Sequence, residues 1–234
     1  MKIIKNVLKS IILPCLVWAA WSCLACGQES AISPELMKEI TDGHARLKEY
    51  TQTVSGKIFH EDRLADEERT VIRSFCVDFY CQPDTVRLVY NFPREENLYG
   101  YMSGEFRRDL GALYLVTWFD NPEYLQKSIK SVENISYDGI DNALCITSKK
   151  LLFNVSTEYE WKIILNPEEY YSLIYYEHNA INKQDEWDAT ISIKITSQTM
   201  ESGEIFPREI IRCGKRNGKE DGTESTRIDI LSTK

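Results

Sequence analysis

The apolar positions of this chain change spacing twice, and each change marks a different kind of element. Up to Gly27 there is no period. Lys2, Lys5 and Lys9 precede an apolar run from Ile11 to Trp21, broken only by Pro14, and the small residues Ser22, Ala25 and Gly27 follow. From Ser33 to about Tyr50 the spacing is helical: Leu36, Ile40 and Leu47, with Gly43 between, form one stripe, and charged residues fill most of the rest. Ser33 can cap this helix and Pro34 suits its first turn. Beyond it the period falls to two. In "TEYEWKIIL", Thr157, Tyr159, Trp161, Ile163 and Leu165 alternate with Glu158, Glu160 and Lys162, and "ATISIKIT" alternates in the same way.

This alternation predicts strands near 52–59, 75–79, 86–92, 112–119, 143–148, 157–165, 170–177, 189–196, 205–213 and 224–231. Turn signals separate them, among them Pro93, Gly104, Asp138-Gly139, Asn166-Pro167, Gly203 and the stretch from Gly214 to Gly222. No helices intervene, so the strands are antiparallel. The fold class is α+β and mostly β: one curved antiparallel sheet with the N-terminal helix laid against it. A single helix is about 10 Å wide and cannot cover such a sheet. The segment 112–119, "ALYLVTWF", is moreover apolar on both faces. Some inner apolar surface is therefore expected to remain as a groove.

The leader sets the compartment. Positive, apolar and small residues in that order have the form of a secretory signal, cut before Gln28. "LACG" at 24–27 also resembles a bacterial lipobox, with Cys26, or else Cys23, as the acylated residue. Export is expected either way, giving a soluble product or a lipoprotein. Residues 1–27 are then a signal peptide and 28–234 one domain of 207 residues (234 less 27). Losing three lysines and no acid takes the net charge from −8 to −11. Such a charge excludes a nucleic-acid partner, which needs a basic footprint. It leaves a lipid anchor as the one expected membrane contact.

Of seven cysteines, Cys76, Cys81, Cys145 and Cys213 belong to the mature part. Cys76 and Cys81 share one strand, where odd spacing puts them on opposite faces about 16 Å apart. They cannot pair with each other; Cys145 and Cys213 remain as partners, or all four stay free. His44, expected on the helix, His60, expected in a polar loop, and His178, expected at a strand end, have no other His or Cys at metal spacing. No nucleophile elbow, P-loop or dinucleotide fingerprint occurs. Neither a metal, nor a cofactor, nor a catalytic residue is expected.

Several stretches resemble the LolA-like periplasmic lipoprotein carriers and their outer-membrane lipoprotein-sorting relatives. They are "LMKEITDGHARLKEYTQTVSGKI", "FYCQPDTVRLVY", "YEWKIILNPEEYYSLIYYE" and "GEIFPREI", spread over residues 33–231. The resemblance implies a half-barrel sheet with a helical lid, whose cavity receives acyl chains. Gln82 stands where the dedicated carrier has an arginine, and Val86 where it has an aromatic residue. The likeness thus concerns the fold and an apolar ligand more than lipoprotein shuttling itself.

The ligand-facing surface is expected among Leu36, Ile40, Leu47, Leu88, Tyr90, Tyr114, Val116, Trp118, Tyr159, Trp161 and Ile163. The first reading is a non-enzymatic protein of the bacterial periplasm or cell envelope. It would bind acyl chains, lipids or lipidated proteins. A sensor or scaffold of the same fold, working with another envelope protein, is the second. An exported enzyme with an unrecognised site is the third.

Overall fold

Ser33 opens the first helix as its sequence demands. Its hydroxyl accepts a hydrogen bond from the Leu36 amide at 3.1 Å, and Pro34 occupies the first turn, where an amide would lack a partner anyway. Helix α1 (Pro34–Tyr50) buries Met37, Ile40, Gly43, His44 and Leu47 and passes through a single 3-10 turn, Thr51–Thr53, into the sheet. The computed structural model describes residues 32–65, 70–82, 85–90, 103–114, 125, 127–152 and 156–233. The expected leader, with Cys23 and Cys26, lies outside the described residues, as do Val116 and Trp118.

The strands are β1 (Val54–Ala65), β2 (Thr70–Gln82), β3 (Thr85–Tyr90), β4 (Ile129–Tyr137), β5 (Ile140–Ser148), β6 (Leu151–Leu152), β7 (Thr157–Asn166), β8 (Ser172–Asn182), β9 (Trp187–Thr199), β10 (Ile205–Arg216) and β11 (Lys219–Thr233). They form one open, curved antiparallel sheet in the order β3-β2-β1-β11-β10-β9-β8-β7-β5-β4, with β6 on β7. The inner face carries Ile58, Val77, Phe79, Ile163, Ile195, Ile210 and Ile228, all buried in the core that Met37, Ile40 and Leu47 of α1 join. The outer face has a separate small cluster of Ala143, Cys145, Ile164 and Ile174. All four described cysteines are free; Cys81 belongs to the inner core and Cys76 points the other way.

Several expectations need correction. The first concerns a second helix, α2 (Ser103–Leu110), which spans Gly104, a residue taken for a turn. The second concerns the stretch expected as a strand at 112–119. Residues 111–114 are a turn, in which Ala112 and Leu113 are buried and the Leu113 carbonyl accepts from the Leu173 amide at 2.8 Å; 115–119 lie outside the described residues. That turn is apolar because it is buried, which alternation cannot distinguish from a two-faced strand. The third concerns Gly214 and Gly222, which lie inside β10 and β11; the reversal is at Asn217-Gly218, where φ is positive (51° and 72°). His60 and His178, likewise, sit within β1 and β8 rather than in a loop and at a strand end.

Helix α1 is fixed by the turn between β7 and β8. A Cβ on Gly43 would run into the carbonyl oxygen of Tyr170, so only glycine lets the helix come this close. Tyr170 and Tyr171 both have φ 56°, a left-handed conformation costing about 1–3 kcal/mol for a side-chain-bearing residue. The helix offsets that cost: His44 Nε2 lies 2.8 Å from the Tyr171 carbonyl, Tyr171 donates its hydroxyl to Glu39 at 2.7 Å, and the Arg46 guanidinium stands 5.0 Å over the Tyr170 ring.

Candidate functional site

Directly opposed residues on antiparallel strands share a face and lie within about 5.5 Å of each other. The register therefore gives the inner face row by row. Trp161 faces His178, His178 faces Ile191, Ile191 faces Gly214, and Gly214 faces Gly222. The next row towards the helices is Ile163, Tyr176, Ile193, Arg212 and Glu224. The next row away is Tyr159, Ala180, Ala189 and Arg216.

The helices do not cover these rows evenly. Trp161 is 2% exposed, whereas Ile191, on the same row, is 49% exposed. Beside Ile191 the floor has no side chain at Gly214 or Gly222, with Asp221 next to them. A Cβ on Gly214 would meet nothing nearer than the Asp221 Cβ at 3.7 Å, so packing does not require glycine there. The result is a trough: Tyr159, His178 and Tyr176 form one wall, Ile191 and Ile193 the apolar floor beside it, and the glycine pair the low side. The wall is a continuous aromatic array, with Tyr159 edge-on to His178 at 5.5 Å and Tyr176 stacked on it at 6.4 Å.

Burial among these rings lowers the His178 pKa below its ordinary 6.5. The folded protein thus binds that proton less readily than the unfolded chain does. This side chain costs no stability above 6.5, and the folded state loses stability as pH falls from there through the lowered pKa. Replacing His178 with Gln should remove this part of the acid slope in urea unfolding measured from about pH 7.5 to pH 5. Equal slopes in parent and variant would mean that the ring is solvated.

Where the trough meets α2 the chemistry changes. Asp109, fully buried, pairs with Arg212, accepts from Thr226 at 3.3 Å and lies 3.5 Å from the Arg108 Nε. Glu224 receives Arg212 and Arg108, each at 3.0 Å, and His60 Nδ1 lies 3.0 Å from the Thr226 hydroxyl and 3.8 Å from Glu224. His60, Asp109 and Glu224 could offer three metal ligands within 4.8 Å of one another. Two guanidinium ions already neutralise the two carboxylates, however, so a cation would have to displace both. The cluster clamps α2 onto β1, β10 and β11, and Phe106 packs on Phe79 beside it, ring centroids 5.2 Å apart.

The residues expected to face a ligand are dispersed. Ile40 and Leu47 are buried in the core, where Phe206 and Tyr50 pack 6.4 Å apart. Leu36 is half-buried and lines a mixed cleft of about 410 Å³ with Val132, Leu144, Pro167, Tyr171 and three polar residues of β4 and β5. Leu88 faces Phe79 and Tyr90 faces Val77 on the β3 edge, while Tyr114 hydrogen-bonds Thr51 at 3.0 Å. Among the described residues of that group, only Tyr159, Trp161 and Ile163 fall at or next to the trough. Sequence reasoning missed Tyr176, His178, Ile191, Ile193 and the glycine pair. The alternation of "ATISIKIT" did group Ile191 with Ile193 and Ile195, but it could not say which strands stand beside them.

No family model matches the chain, and no curated protein does. Three solved structures are similar in the course of the chain. One is described as an outer membrane lipoprotein-sorting protein domain from Vibrio parahaemolyticus (9% identity, TM-score 0.43, covering 83% of this chain and 91% of that one). The second is a DUF1329 family protein from Desulfovibrio piger (12%, TM-score 0.39, 82% and 91%). The third is a LolA superfamily protein from Nitrosomonas europaea (12%, TM-score 0.36, 83% and 94%). At these identities and TM-scores the likeness concerns the course of the chain alone. Among the described residues no helix is long and apolar enough to cross a membrane.

Proposed function

We propose that this chain is a non-enzymatic bacterial cell-envelope protein that binds an acyl chain, of a lipid or a lipidated protein, in the trough of β7–β11. The observation that carries this reading is Ile191, a large aliphatic residue half exposed on the face that elsewhere forms the core, beside Gly214, where packing does not require glycine. A chain lying there would be drawn in by apolar burial, worth about 0.8 kcal/mol per methylene removed from water. No bond need be made or broken: the nearest polar cluster has its carboxylates held by guanidinium groups. Export follows from the order of charges and apolar residues in the leader, and lipidation at Cys26 or Cys23 would add an anchor.

The test is to fill the trough. Gly214→Leu has room for its Cβ and should leave the thermal midpoint unchanged, yet weaken binding of a fluorescent fatty acid at least about tenfold. No uptake by the unaltered protein, or equal uptake by the variant, would remove the trough as a binding site. One observation favours a scaffold instead, namely that Ile40 and Leu47 of α1 are buried in the core. A scaffold would take up no fatty acid, so the same titration separates the two.

A further inference from the structure

We infer that the trough is built for an anionic amphiphile, with an acidic head held at the β10–β11 hairpin and its tail along Ile191. This rests on the reading above and adds the chemistry of the head. Arg216 belongs to the inner face, opposite Ala189, which in turn faces Ala180; from Arg216 to Tyr159 the row holds only methyl groups between. Directly across the hairpin from Arg216 stands Lys219. Like charges in that relation oppose folding. A chain with a net charge of −8 has acids enough to avoid the arrangement.

Several other cations of the sheet find acids: Lys57 pairs with Asp78, Arg63 with Glu61, Lys183 with Glu158, Lys194 with Asp138, Arg212 with Asp109 and Glu224, and Arg227 with Asp229, whereas Lys130, Lys162, Arg208 and Lys215 form no ion pair among the described residues. Among the described residues, Arg216 and Lys219 form no ion pair. The nearby acids are Asp221, on the bulge beside Gly214, Glu220, opposite Lys215, and Asp188 at the start of β9. None of the three is paired with either cation. The hairpin is also held in place. The Asn217 amide donates to the Asp188 carbonyl at 2.9 Å, and its side-chain oxygen accepts from the Asp188 amide at 3.0 Å.

Arg216 is two residues along β10 from Gly214 and four from Arg212, so a head at Arg216 has about 13 Å of inner face before the polar cluster begins. Ile191, Gly214 and Ile193 lie along that path. A carboxylate and a phosphate diester share the chemistry that a guanidinium and an ammonium would hold together. A free fatty acid and an anionic lysophospholipid are therefore the two sources to separate.

The experiment uses the mature chain and three probes: a tail-labelled fluorescent hexadecanoic acid, its methyl ester, and lysophosphatidylglycerol as competitor. The acid should bind about tenfold tighter than the ester at low salt, and the preference should shrink as salt is added. In Arg216→Gln/Lys219→Gln, which changes exposed side chains only, acid and ester should bind alike, with ester affinity and thermal midpoint unchanged. Displacement of the acid by lysophosphatidylglycerol would support a lipid head as the source; its failure to compete would support the free acid. Equal binding of acid and ester by the unaltered protein, or a preference that survives the double substitution, overturns the head site and leaves the trough standing. No binding of either probe overturns both.

Discussion

Asp109→Ala should destabilise the protein by about 3–5 kcal/mol, read as a fall in the urea midpoint at constant m-value. Its carboxylate is fully buried and holds Arg212, whose side chain is only 11% exposed. Removing the acid leaves that guanidinium with Glu224 alone, in a place where water cannot reach it well. The attraction itself is not what makes the loss large. A buried ion pair contributes little net stability, whereas a buried charge without its partner is costly. The double substitution Asp109→Leu/Arg212→Met should therefore recover most of the loss, because both charges leave together. A midpoint shift worth less than about 1 kcal/mol for Asp109→Ala would mean that the cluster is solvated like a surface pair.

Ile40→Ala is expected to cost about 2–5 kcal/mol, and Leu36→Ala less than half as much. Both belong to the apolar stripe of α1 and were expected together over a groove. Ile40 has no exposed surface and packs in the core, whereas Leu36 is half-buried at the mouth of a cleft. If α1 swung freely, the two substitutions would cost similar, small amounts and both would alter ligand uptake. If it is fixed, only Ile40→Ala unfolds the protein early and neither changes uptake by the folded fraction. Thermal melting with the fatty-acid titration, run on both variants, decides between these outcomes.

Much of the fold could be read from the sequence because period and burial agree there. Ser33-Pro34 and the stripe to Leu47 define α1, and the alternations around Trp161 and Ile193 define β7 and β9. Helix α2 was not legible, for a physical reason. Its buried side is Phe106, Asp109 and Leu110, and one member of that stripe is an acid whose partners come from 103 and 117 residues further along the chain. Strand β4 was missed as well, since its edge position leaves Glu133, Asn134 and Ser136 exposed and breaks the apolar alternation. The trough was only half legible. Parity within β7 placed Tyr159, Trp161 and Ile163 together, but His178, Ile191 and Gly214 join them through strand order and register, which no single run of residues records.

The two left-handed tyrosines after β7 bear on how the chain reaches this structure. Tight turns usually let neighbouring strands pair early, because little loop has to be closed. Here the reversal is unfavourable for its residues and is held by contacts from α1, among them His44 to Tyr171, 127 residues apart in sequence. The β7–β8 hairpin, local in sequence, thus depends on a contact that is far from local. Closing a separation of that length slows folding relative to a local contact. The turn between β7 and β8 should accordingly set only after the first helix has found its place on it.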